Sequence, residues 1–159
     1  MDKTGELPEQ FPMYGIFLLS LPARCDAFEE LRARLAAAAA ELRLPERETD
    51  QLLISADEVF SNIAAYAYPE GGGTVEVQLA KNADGTALYM IFSDHGIPFD
   101  PSAAAPPDTA APPENRKVGG LGIHIVRHLM DGIDYRRTGD GRNLLTLTKK
   151  LSAPPEVHP

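Results

Sequence analysis

Cysteine is nearly missing from this chain, cations are outnumbered and long apolar runs do not occur; each shortage removes a class of protein. Cys25 is the only cysteine in 159 residues, so an intramolecular disulfide and a cysteine-rich zinc site are both excluded, which suits a reducing cytoplasm. Lys and Arg total 15 against 23 Asp and Glu, a formal net charge of −8. Nucleic acid and anionic membrane surfaces reward clustered cations, so neither is expected as a direct partner. There is no run of about 18 apolar residues, and Met1 to Met13 carries acids and prolines in place of an apolar signal core. The expectation is a soluble, unexported, cytoplasmic protein. Three short motifs are missing as well: the G-x-x-x-x-G-K-[ST] phosphate loop, the G-x-G-x-x-G dinucleotide turn and the G-x-S-x-G nucleophile elbow.

What is there is apolar residue at 43% of the chain, enough for one sizeable core, so a single domain is expected. Tyr14 to Leu21 is dense in aliphatic residues between Gly15 and Pro22 and reads as a buried strand. Asp26 is placed to cap a helix whose apolar positions Phe28, Leu31, Leu35, Ala38 and Leu42 recur at helical spacing, with the alanine run Ala36 to Ala40 inside it. Pro45 opens a second helix with the stripe Leu52, Leu53, Ala56, Val59, Phe60, Ile63, Ala64 and Ala67, ended by Gly71-Gly72-Gly73. The period then changes to two. Val75, Val77 and Leu79 face opposite to Glu76 and Gln78, and a turn at Asn82 to Gly85 leads to a strand at Leu88 to Ser93. A third helix follows Gly122, and Ile133 to Thr138 and Leu144 to Leu151 form a last strand pair across Gly139-Asp140-Gly141. These elements predict an α/β (α+β) two-layer sandwich, with helices on one face of a mixed, mostly antiparallel sheet.

Ala103 to Pro113 is nearly all Ala and Pro and has no periodic face. A structureless insertion of that kind inside a compact domain is expected to be functional, and its position between two candidate ligand segments makes it a lid. The expected organisation is an N-terminal extension at 1–13, one domain at 14–151 with a lid at about 95–118, and a C-terminal tail at 152–159.

Three segments carry chemistry in order. In Glu58-Val59-Phe60-Ser61-Asn62 the carboxylate and the amide stand one turn apart, and at about 100° per residue both fall opposite the core stripe, together with Gln51 and Ser55. An isolated E-x-x-x-N is ordinarily a solvated helix face; in a pocket, the amide oxygen can ligate Mg²⁺ while the carboxylate takes a proton from an attacking hydroxyl. Asp57 lies toward the core edge, so Glu58 is the preferred base, and Ser61 lies at the flank. In Asp94-His95-Gly96-Ile97-Pro98-Phe99 an acid ends a strand, where it can accept a hydrogen bond from an exocyclic amine, while the glycine lets backbone approach a flat ring. In Gly119-Gly120-Leu121-Gly122 bare N–H groups at a helix start can approach phosphate oxygens. His124 and His128 form an i, i+4 pair, but no third metal ligand is evident nearby.

The set S-A-D-E-V-F-S-N at Ser55 to Asn62, D-H-G-I-P-F-D-P at Asp94 to Pro101 and G-G-L-G-I at Gly119 to Ile123 resembles the N, G1 and G2 boxes of the Bergerat-fold (GHKL) ATPases. With Val126 to Asp131 and the ending Arg142 to Leu147, it further resembles the bacterial anti-sigma factor serine kinases of partner-switching systems, across about Tyr14 to Leu151. That span leaves no room for the dimerisation and phosphoacceptor helices of a full sensor histidine kinase. The resemblance implies that Asn62 ligates Mg²⁺, Glu58 activates the acceptor hydroxyl, and Asp94 with Gly96 reads adenine beside Pro98 and Phe99. It also implies that Gly119, Gly120, Leu121 and Gly122 hold the phosphates of ATP or ADP and that Thr146 lies near the base. Arg116 and Lys117 are added as lid cations that would meet the γ-phosphate. Tyr66 stands where relatives often carry a histidine. The implied partners are a STAS-domain anti-anti-sigma protein, whose serine is the substrate, and a sigma factor or equivalent regulator; a homodimer is implied too. The alternative is a non-catalytic nucleotide-binding regulator that acts by partner capture only.

Overall fold

Val75, Val77 and Leu79 alternate with polar residues along a strand and expose no surface at all, which fixes one face of a sheet as the floor of the core. The computed structural model describes residues 13–100 and 120–151. In chain order these form β1 (Met13–Pro22), a short 3₁₀ turn (Cys25–Ala27), α1 (Phe28–Glu41), α2 (Glu46–Asn62), a π turn (Ile63–Ala67), β2 (Thr74–Asn82), β3 (Ala87–Asp94), α3 (Gly120–Leu129), β4 (Gly132–Arg137) and β5 (Asn143–Lys150). The strands make one five-stranded sheet in the order β1-β2-β3-β5-β4, and every described pairing is antiparallel.

Leu31 and Leu35 of α1, Leu52, Ala56 and Phe60 of α2 and Val126 of α3 meet Val77, Met90, Phe92 and Leu147 of the sheet in one buried cluster. All three helices therefore cover one face, the two-layer arrangement that the periodicities predict. Phe28 and Phe60 close the α1–α2 contact with ring centroids 6.1 Å apart, within the range of favourable aromatic pairs.

Three local expectations change. β1 is an edge strand with one open face: Leu19 and Leu21 are buried while Leu18 is 56% exposed, so its aliphatic density marks a half-covered strand. Asp26 caps nothing. It lies inside the 3₁₀ turn and its carboxylate is paired with Arg24 at 2.5 Å, while Ala27 holds the α1 N-cap position without a side-chain bond. Ser55, expected with the polar face of α2, is fully buried, because α2 packs between α1 and α3 as well as on the sheet.

Candidate functional site

The end of α2 is where the first two sequence segments meet. At Ile63 the helix widens into a single π turn, the kind of irregularity that is over-represented at functional sites. Ala67 ends this turn, where helix carbonyls have no partner within the helix, and its carbonyl accepts the Ile97 N–H at 2.8 Å. Gly96 lies so close to this carbonyl that an added Cβ would overlap the Ala67 oxygen and Cβ. The glycine is thus required by α2's own backbone, a different reason from the approach of a flat ring. Tyr68 fastens the same turn: its hydroxyl accepts the His95 N–H at 2.8 Å and donates to the Thr74 carbonyl at 2.7 Å.

Asp94 sits at the last position of β3, buried. Its Oδ1 accepts the Gly96 N–H at 2.8 Å and the Asn143 Nδ2–H at 2.9 Å. Asn143 is directly opposite Asp94 in the β3–β5 register, and its Oδ1 in turn accepts from the Tyr135 hydroxyl at 2.6 Å and the Arg137 guanidinium at 2.9 Å.

A cavity of about 280 Å³ opens between these parts. Val59, Asn62, Ile63, Tyr66 and Ala67 form one wall, Asp94, Ile97, Pro98 and Phe99 a second, and Ile123, Tyr135, Asn143 and Leu145 the rest. Small-ligand sites are mostly apolar with a few fixed polar groups, and the polar side chains that converge here are Asn62, Asp94 and Asn143. Ile97 and Phe99 are half exposed, so the apolar mouth is formed by the residues that follow Asp94. Asn62 has a buried Nδ2 with no hydrogen-bond partner. A buried, unsatisfied amide on a cavity wall fits a group brought in by a ligand. A hard cation such as Mg²⁺ takes one protein oxygen and fills its remaining positions from water and phosphate. Among the described residues no cluster of three or more His, Cys, Asp and Glu could hold a metal ion; the orphaned Nδ2–H of Asn62 is a donor and fits a phosphate oxygen, while the amide oxygen beside it is the group that would meet Mg²⁺.

Glu58 is one turn before Asn62, and the third segment comes down on it. Gly122, at the third position of α3, has no room for a Cβ because the Glu58 carboxylate occupies that place. Burial under α3, and secondarily the charge of neighbouring Asp57, raise the Glu58 pKa above the ordinary carboxylate value. Asp57, expected toward the core edge, is exposed instead and accepts the Ser61 hydroxyl of the helix flank at 3.0 Å. Glu58 is not among the cavity-lining side chains; it stands beside the Asn62 wall.

Of the other expected residues, Gly120, Leu121 and Gly122 begin α3, the helix start that the glycines predict. Gly119, Arg116 and Lys117, with the rest of residues 101–118 of the expected lid, lie outside the described residues. Thr146 is corrected. It pairs with Ile91, and strand alternation turns it to the sheet face opposite Leu145 and Leu147, which point into the core, so it does not line the cavity. The residue of β5 that does reach the acid is Asn143, three positions earlier. Tyr66 lines the cavity wall. His124 and His128 approach to 3.2 Å between their Nε2 atoms on α3, away from the cavity lining.

An antiparallel sheet carrying three helices on one face, with an acid at a strand end, an amide on the facing helix and a glycine-started helix beside them, defines a nucleotide-binding ATPase domain of the GHKL kind. Residues 21–149 match the histidine kinase-like ATPase domain, and the chain belongs to that family. Among curated relatives it is 34% identical over 104 residues to the serine/threonine-protein kinase BtrW of Bordetella bronchiseptica, covering 65% of this chain and 70% of that one. It is 27% identical over 137 residues to the serine-protein kinase RsbW of Halalkalibacterium halodurans, covering 84% and 82%. It is 28% identical over 127 residues to the anti-sigma F factor of Pasteuria penetrans, covering 78% and 84%. In fold it is similar to the RsbU and RsbW domains of Rv1364c from Mycobacterium tuberculosis, with a TM-score of 0.62 at 19% identity, covering 91% of this chain and 34% of that one.

Proposed function

We propose that this protein is an Mg²⁺-ATP-dependent protein-serine kinase and anti-sigma factor. It phosphorylates a serine of a STAS-domain anti-anti-sigma partner and sequesters a sigma factor or equivalent regulator when that partner is phosphorylated. The observation that carries the reading is the convergence of Glu58 and Asn62 on one side of α2, with Asp94 across one cavity and Gly122 closing over Glu58. The names of the relatives BtrW, RsbW and anti-sigma F factor support the kinase and anti-sigma roles. The family resemblance supports a homodimer, and the single cysteine is compatible with a cytoplasmic place.

In this reading Asp94 and Asn143 meet the adenine edge, and Val59, Ile63 and Leu145 cover its faces. The N–H groups of Gly119 to Gly122 hold the phosphates, aided by the α3 N-terminus. Arg116 and Lys117 reach the γ-phosphate from a lid over about 95–118. Mg²⁺ on Asn62, when bound, neutralises developing charge on the phosphates. Glu58 accepts the proton of the serine hydroxyl as its oxygen bonds to the γ-phosphorus; the bond to the β-phosphate oxygen breaks and ADP leaves. A raised pKa suits Glu58 to this task, because a base closer to the operating pH holds the proton more firmly.

The test is transfer of label from γ-labelled ATP to a STAS-domain partner in the presence of Mg²⁺. Phosphoserine on the partner, lost in Glu58→Gln while ATP binding persists, is the expected result. Binding without transfer in the unaltered chain would leave partner capture as the activity and contradict the proposal.

A further inference from the structure

Asn143 is 6% exposed, and every hydrogen-bonding atom of its amide is engaged. Its two Nδ2–H bonds are spread over three acceptors: Asp94 Oδ1 at 2.9 Å, the Gly96 carbonyl at 3.2 Å and the Ile97 carbonyl at 3.1 Å. On its other side Oδ1 is held by Tyr135 and Arg137 of β4, so the amide cannot exchange its ends without breaking those two bonds. One side chain thereby clamps the strand-end acid, the turn that follows it and the edge strand.

We propose that Asn143 sets the base selectivity of this pocket: by occupying Asp94 Oδ1 it leaves only Oδ2 to face the ligand, so that the site accepts a purine with an exocyclic amine and rejects one with a ring carbonyl at that place. The inference rests on the reading that the cavity holds a nucleotide base against Asp94. With Oδ1 taken by the Gly96 N–H and the Asn143 amide, the oxygen free of described partners is Oδ2. An ionised carboxylate has acceptors and no proton to give. An amine donates to it. A carbonyl at the same place would bring two acceptors together and leave a buried group unpaired, the kind of mismatch by which polar sites discriminate most strongly. Without the clamp, Asp94 could turn about its side-chain bonds and meet either group through rearrangement or water. Asn143 is then a positioning residue that acts through Asp94.

The measurement is calorimetric titration with ADP and with inosine diphosphate, each with Mg²⁺, on the full chain. The two ligands share sugar and phosphates, so their affinity ratio is insensitive to any general weakening of the site. The unaltered chain should prefer ADP by about tenfold or more, the worth of one hydrogen bond to a charged group. In Asn143→Asp the acceptor toward Tyr135 and Arg137 is kept, while the donor toward Asp94 becomes a second carboxylate, and two carboxylates so close share a proton. With Asp94 carrying that proton, its outward oxygen can donate to a ring carbonyl, so the ratio should fall toward one or invert. Asn143→Ala should lower the ratio as well. A folded variant that keeps the parental ratio overturns the inference, as does an unaltered chain that binds the two diphosphates equally. An unaltered chain that binds neither refutes the nucleotide reading itself. If neither variant folds, the ¹⁵N-labelled Asn143 side-chain amide of the unaltered chain decides: protons slow to exchange, with a resonance that ADP moves and inosine diphosphate does not, support the clamp, and identical shifts with both ligands overturn it.

Discussion

At the scale of single residues, Glu58 and Gly122 are one device. The carboxylate lies where a Cβ on residue 122 would be, so the glycine makes room for the proposed base. In Gly122→Ala the atom that must yield is the end of a flexible side chain, and alanine favours the helix by up to about 1 kcal/mol. The expected outcome is a chain at least as stable as the parent, with nucleotide binding retained and phosphoryl transfer reduced at least tenfold, read by thermal unfolding beside the label assay. Unchanged transfer would separate Glu58 from the reaction. Burial and then Asp57 raise the Glu58 pKa, which shifts loss of the working, deprotonated base to higher pH than for an ordinary carboxylate. Removing the like charge in Asp57→Asn lowers that pKa, so the acidic limb of the transfer rate should move to lower pH. An unmoved limb would show that another group limits the rate. The spacing of Glu58 and Asn62 was legible in the sequence because a helix turn is local. The covering of Glu58 by Gly122 was not, because 64 positions separate them (122 − 58).

At the scale of elements, the site depends on how α2 ends. Helical periodicity forecasts a continuous stripe from Leu52 to Ala67, and the structure instead replaces its last turn with a π turn whose carbonyl receives Ile97. Nothing in Ile63-Ala64-Ala65-Tyr66-Ala67 announces this, because the wider turn is repaid by contacts with the strand-end loop far along the chain. Gly96→Ala tests the joint. Its Cβ would strike backbone at Ala67, which cannot swing aside, so a loss of about 2 kcal/mol is expected, of the order found for overpacked cores. Urea unfolding with an unchanged slope measures it, and a cost near zero would mean that the turn is free to move. The alternation of Val75, Val77 and Leu79 gives the buried face directly, whereas the motif resemblance puts Thr146 near the base against its own alternation with Leu145 and Leu147, and the alternation prevails. Arg43, at φ 55° just beyond α1, is another feature that carries no sequence signal; glycine is the usual residue there.

At the scale of the molecule, three segments that are separate in sequence meet because one antiparallel sheet brings the end of β3 under the end of α2 and sets α3 beside both. The class of fold was legible, since periods of 3.6 and two succeed one another in the order a two-layer sandwich requires. Asn143 carries no sequence signal as a site residue, because its importance comes from pairing with Asp94 across 49 residues, a long-range register that no local pattern encodes. The central claim is that this cavity is a nucleotide pocket with Asp94 at its base and Glu58 outside the binding contacts. It is tested most directly by calorimetric titration of Mg²⁺-ATP into the unaltered chain, Glu58→Gln and Asp94→Asn. The account predicts that Glu58→Gln binds as the parent does and that Asp94→Asn binds at least about tenfold more weakly; parental affinity in Asp94→Asn would contradict it.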